Sequence, residues 1–137
     1  MTLQGIQIRS FPELPVAIPY LLGYYPHNSV CALTVGHPGH DEYAIVSVTL
    51  PSTKEPPPSA EEVESCAQEV ADLLRQKAAK AAYLVGYGAG AKVTPVIDAW
   101  RRALPEQGIA VKDALRVQDD RCWSYMCDDP HCCPPEG

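Results

Sequence analysis

Tyr83-Leu-Val-Gly-Tyr-Gly-Ala-Gly-Ala-Lys-Val-Thr-Pro95, followed by Ile97, Trp100 and Leu104 and then by Ile109-Ala-Val111, decides the fold. The apolar run Tyr83–Val85 reads as a short buried strand. Thr94-Pro95 supplies an N-cap and a first-turn proline, and Ile97, Trp100 and Leu104 form one helical stripe. Ile109–Val111 is the next strand. Strand-helix-strand units close right-handed onto parallel neighbours, so the expectation is an α/β fold: a mixed, largely parallel sheet covered by helices.

The flanking sequence is consistent with this. Upstream, Ser59 and Glu62 make a capping box for a helix whose Val63, Cys66, Ala67, Val70, Leu73 and Leu74 share one face. Pro51 to Pro58 is a stiff linker before it. Val30–Val35 and Tyr43–Leu50 are β-branched runs joined through Gly36 to Asp41, a hairpin with a longer loop. Nearer the start, Ile6–Arg9 alternates like a strand, and Leu14–Leu22 is an apolar stretch closed by Gly23, a natural helix terminus. Downstream, Leu115–Val117 and Trp123–Tyr125 around Gln118–Arg121 form a terminal hairpin. It leads into a Cys/Pro-rich cap, Cys127-Asp-Asp-Pro-His-Cys-Cys-Pro-Pro-Glu-Gly137.

A chain of 137 residues with 46% apolar content is one domain's worth and can bury a core without covalent staples. Its net charge of −6, with 11 Lys and Arg and no basic run, argues against nucleic acid or an anionic membrane as partner. The N-terminus has no charged and apolar regions of a secretory signal, and the apolar runs are too short to span a bilayer. A cytoplasmic, reducing setting is expected, with the six cysteines free or metal-bound.

Two places could carry chemistry. Gly86-x-Gly88-x-x-Ala91 fits the loose dinucleotide fingerprint, and Asp113 lies roughly 20 residues on, where a ribose-binding acid is wanted. Thr94-Pro95, however, sets the helix start beyond Gly90, too late for its amides to reach a pyrophosphate, and Pro95 removes a donor. The phosphate-loop pattern keeps Lys92 but has Ala91 and Val93 where Gly and Ser or Thr are needed. A flexible βα turn is the plainer reading, with Gly86, Tyr87 and Gly88 the residues a cofactor would touch and no tight dinucleotide binding expected.

In the cap, Cys127, His131, Cys132 and Cys133 are the candidate metal ligands, and zinc is the metal such a set would take. Cys122, Cys127, Cys132 and Cys133 are separated by four, four and zero residues, which departs from paired zinc knuckles. Remaining ligands would come from Cys122 or from His27, His37 or His40. Two other readings stay open: a disulfide from Cys127 to Cys132 or Cys133, and thiols that simply pack a Pro-rich cap. Asp128 and Asp129 would raise the neighbouring thiol pKa values, which disfavours an activated nucleophile. His27, Asn28 and Ser29 follow Pro26 as turn formers, and the histidines have no triad partners fixed by sequence.

Leu21-Leu-Gly-Tyr-Tyr-Pro-His-Asn-Ser-Val30, Leu84-Val-Gly-Tyr-Gly88 with Val93-Thr-Pro95, Asp113-Ala-Leu-Arg-Val117, Trp123-Ser-Tyr125 and Cys132-Cys-Pro-Pro-Glu-Gly137 resemble, in order, an uncharacterised actinobacterial family built on a domain of unknown function. Cys122 departs from that family's pattern, which has an aromatic or other residue there. Members of the family continue past Pro-Pro-Glu-Gly, so the resemblance implies that residues 1–137 are a single α/β domain that is either a short member or the N-terminal part of a longer architecture. It implies no activity. The sequence therefore points to a cytoplasmic α/β binding or interaction module for a protein partner or small molecule. Its surface joins the Gly86 turn, the His27 turn and the cap. A metal-dependent enzyme and a thiol redox protein are the rivals.

Overall fold

Parallel and antiparallel pairs meet in one sheet because the chain alternates hairpins with helical crossovers. The computed structural model describes residues 19, 23, 26–35, 44–50, 58–119 and 121–126. The expected Ile6–Arg9 strand, the Gly36–Asp41 loop, most of the Pro51–Pro58 linker and the Cys127–Gly137 cap lie outside them. The elements are β1 (Ser29–Val35), β2 (Ala44–Thr49), α1 (Ala60–Gln76), β3 (Ala81–Tyr87), α2 (Gly90–Glu106), β4 (Ala110–Gln118) and β5 (Arg121–Ser124). The strands lie in the order β2-β1-β3-β4-β5.

β1 pairs antiparallel with both β2 and β3, so β2 and β3 run in the same direction on either side of it and α1 crosses over the strand between them. β3 and β4 are parallel neighbours joined by α2, and β4 and β5 form the terminal hairpin. The sheet is mixed, as the element order implies, but its parallel share is the single β3–β4 pair. The two hairpins necessarily contribute antiparallel pairs, and β1 separates the other two co-directed strands.

Ile109–Val111 and Leu115–Val117 are not two strands but parts of one. The register passes from Ala82 opposite Val111 to Tyr83 opposite Asp113, skipping Lys112. This bulge absorbs the polar Lys112-Asp113 interruption and lets β4 continue to Gln118.

α1 starts as its capping sequence predicts, with Ser59 Oγ accepting from Glu62 N–H at 3.1 Å. Its buried stripe is Ala67, Val70, Ala71 and Leu74. Leu73, assigned to the same face from spacing, is 40% exposed, and Val63 and Cys66 are half-buried at the edge. α2 starts earlier than the sequence suggests. Ala89 is the N-cap and Gly90 the first helical residue, which puts Pro95 inside the helix. An interior proline forfeits one backbone hydrogen bond and costs about 3 kcal/mol. Burial of Val93, Val96, Ile97, Ala99, Trp100, Ala103 and Leu104 along the helix offsets that, while the Pro95 ring faces solvent.

Both helices pack on one face of the sheet, over Val30, Ala32, Ala82, Leu84 and Ala114. Cys31, Leu33, Val85, Tyr87, Leu115 and Val117 make a second buried cluster on the opposite face. Strands buried on both faces explain the near-continuous apolar runs in β1 and β3.

Adjacent leucines on α1 test this packing. Leu74→Ala should cost about 2 to 5 kcal/mol in chemical denaturation, whereas Leu73→Ala should cost under about 1. Equal losses at the two positions would contradict the assigned face.

Candidate functional site

The close approach of α2 to β3 shapes the strand ends. A Cβ at Gly86 would run into the Val93 side chain, so the glycine lets the helix settle directly onto the strand. Gly86 therefore serves packing and does not line the cleft described below. Gly88 follows with φ +143°, a backbone conformation that side chains rarely adopt, and a Cβ there would come 3.1 Å from Asn28 Oδ1. Gly88 N–H donates to Val117 O at 3.0 Å, tying the turn to the end of β4.

This turn meets the segment leading into β1. Ser29 Oγ donates to His27 O at 2.8 Å, and Leu50 N–H donates to Asn28 O at 2.6 Å. Asn28 and Asp119 hold left-handed conformations, φ 47° and 51°, which Asn and Asp tolerate better than most residues. Between the two turns and the end of β4 opens a cleft of about 440 Å³, lined by Pro26, His27, Asn28, Tyr87, Gly88, Val117, Gln118 and Asp119. It lies beyond the C-terminal ends of the parallel pair, where open α/β sheets bind ligands. The sequence-level pairing of the Gly86 and His27 turns is thus a spatial one. Tyr87 and Gly88 line the cleft, with Tyr87 only 2% exposed.

Arg116 escaped the sequence reading. It is 3% exposed and lies on the helix-facing side of β4, opposite Gly86. Its Nη1 donates to Gly88 O at 2.9 Å and to Gln118 Oε1 at 2.6 Å. Its guanidinium carbon sits 4.2 Å from the centroid of the Trp123 ring. The buried Nε has no hydrogen-bond partner. The signal was a single charge within the apolar run Ala114-Leu-Arg-Val117, at a position that alternation assigns to the core.

Other candidates have local duties. Asp113, the would-be ribose ligand, pairs with Tyr83 well before the strand end. Its Oδ1 accepts from Ala114 N–H at 2.8 Å and Ser124 Oγ at 3.0 Å. Thr94 is not the helix cap but shares a 2.7 Å hydrogen bond with Tyr125 Oη. Burial raises the Tyr125 pKa, against the opposing pull of Thr94, Arg116 and Arg101, while Asp98 adds to the rise. The objection to an anion at the Gly-rich turn falls away, because α2 begins at Gly90 and the missing Pro95 amide lies beyond its first turn.

Cys127, His131, Cys132 and Cys133, the candidate metal ligands, lie outside the described residues. Among the described residues no group of three or more His, Cys, Asp or Glu side chains could hold a metal ion. Cys31 and Cys66 are free thiols on separate elements, and Cys122 lies on a third. Burial raises the pKa of Cys31, partly offset by its hydrogen bond to Ser47. Burial also raises the Cys66 pKa, as does the charge of Glu69. Neither is an activated thiolate at neutral pH. Among the described residues no helix is long and apolar enough to cross a membrane.

A family model described as Domain of unknown function (DUF4192) matches residues 13–137. No curated protein and no solved structure matches the chain.

Gly86→Ala should destabilise the fold by about 1 to 3 kcal/mol through overpacking against Val93, read as a shift in urea midpoint. An unchanged midpoint would refute the close approach. Cys31 should react with a thiol probe at neutral pH only as fast as the chain unfolds; reaction at the rate of an exposed cysteine would contradict its burial.

Proposed function

The chain belongs to the DUF4192 family, and from that premise we propose that it is a small-molecule-binding α/β module whose ligand occupies the cleft beyond the ends of β3 and β4. One observation carries the proposal: segments distant in sequence, Pro26–Asn28, Tyr87–Gly88 and Val117–Asp119, converge around one concavity of about 440 Å³. A volume of that order suits a small ligand better than a peptide or protein surface. The walls mix apolar surface from Pro26, Tyr87 and Val117 with polar groups from Asn28, Gln118 and Asp119, the combination that gives both affinity and orientation. The excess of 17 acidic over 11 basic residues supports a small molecule over nucleic acid, and a cytoplasmic setting accords with the free Cys31 and Cys66 thiols. The rival readings, a metal-dependent reaction or thiol exchange, draw on Cys127, His131, Cys132 and Cys133.

Amide correlation spectra recorded against a library of polar metabolite-sized compounds test the proposal. At least one compound should produce saturable shifts concentrated at His27, Asn28, Gly88, Gln118 and Asp119. Saturable shifts confined to another surface would overturn it.

A further inference from the structure

Going beyond the ligand reading and independent of it, we propose that the second face of the sheet is a docking surface for the chain's own Leu14–Leu22 segment, and that this docking holds the Pro26–Asn28 wall of the cleft. The starting point is a face buried without a described cover. Cys31, Leu33, Val85 and Leu115 are 0% exposed there, yet α1 and α2 both pack on the opposite side. Among the described residues the second cluster is made of strand residues alone. Side chains on a bare sheet face stand out into water, so complete burial requires a further layer. The burial is complete within one chain, so that layer belongs to the chain itself and not to a second copy.

Composition identifies the layer. Outside the described residues lie 1–18, 20–22, 24–25, 36–43, 51–57, 120 and 127–137. Every Leu, Ile, Val, Met and Phe among them falls within the first 22 residues, and the later segments offer chiefly Gly, Pro, Cys, His and charge. Within those 22, Leu14, Ile18, Leu21 and Leu22 fall at helical spacing on one stripe. Leu3, Ile6 and Ile8 are interspersed with Gln4, Gln7 and Arg9 and make no such stripe. The described end of the segment agrees with a helix. Pro19 is helical, and Gly23 N–H donates to Pro19 O at 2.9 Å from a left-handed φ of +81°, the way a helix stops on glycine. Nine helical residues run about 14 Å, enough to cross β1, β3 and β4 at about 4.8 Å per strand. From Gly23 to Ser29 the chain can reach about 20 Å, ample for a step of about 10 Å between packed layers.

The wall follows from this tether. Pro26 is buried and lines the cleft shortly after Gly23, and Tyr87 and Val117 belong both to the covered face and to the cleft lining. The docked segment therefore sets where Pro26, His27 and Asn28 stand opposite them.

The test uses the full chain with labelled methyl groups, alone and mixed with unlabelled chain. We expect nuclear Overhauser cross-peaks from the Ile18, Leu21 and Leu22 methyls to those of Leu33, Val85 and Leu115 within one chain. Cross-peaks that arise only between labelled and unlabelled copies would overturn the proposal. So would their absence, or contacts to that face from Leu3, Ile6 or Ile8 in their place. Ile18→Asp gives a second reading. It should speed the reaction of Cys31 with a thiol probe by about tenfold or more and shift the His27 and Asn28 amides, while the Val93 to Gly86 cross-peaks persist. If that variant does not fold, the native cross-peaks decide alone. Native Cys31 reactivity in a folded Ile18→Asp chain would overturn the docking, and unmoved His27 and Asn28 amides would overturn its hold on the cleft wall.

Discussion

The contact between Gly86 and Val93 is the constraint on which the functional end of the molecule depends. Without a Cβ at position 86 the helix axis can approach β3 closely, and Val93, Ile97 and Trp100 seat in the sheet. That seating holds the first turn of α2 immediately after the strand, so Gly88 has to reverse the chain in a conformation suited to glycine. The reversal brings Gly88 against Asn28 and joins it to Val117. The cleft is therefore a product of packing rather than of a long flexible loop.

The same contact explains which parts of the fold were legible in sequence. Periodicity is a local property, and it identified β1, β2, β3, the terminal hairpin and α1, including the Ser59 cap. It failed where tertiary burial outweighed local chemistry. Thr94-Pro95 is a sound helix-start signal, but the apolar stripe from Val93 onward buries enough surface to extend the helix back to Gly90 through the glycines. Leu73 was misplaced for a related reason: adjacent Leu73 and Leu74 point about 100° apart on a helix, and only one can face a narrow seam. The merging of Ile109–Val111 with Leu115–Val117 depended on a bulge at Lys112, which has no strong sequence mark.

Of the site, the sequence revealed the turns but not the residue that gives them an electrostatic character. Of Gly86, Tyr87 and Gly88, the residues that the sequence offers to a cofactor, Gly86 packs against Val93 and its two successors line the cleft. Asp113 was chosen by counting residues, yet the bulge and the longer β4 move the strand end to Gln118 and Asp119. Arg116 was hidden in plain alternation, where a core-facing position is expected to be apolar. Its buried charge is comprehensible only once Gly88, Gln118 and Trp123 are seen around it.

Everything downstream of the Gly86 contact requires α2 to begin inside the glycine-rich turn, and nuclear Overhauser and carbon chemical-shift data on the free protein measure that directly. We expect cross-peaks between the Val93 methyls and the Gly86 α-protons, together with helical carbon shifts from Gly90 through Thr94. Extended shifts as far as Thr94, with no Val93 to Gly86 cross-peak, would contradict the account and return the turn to an open loop.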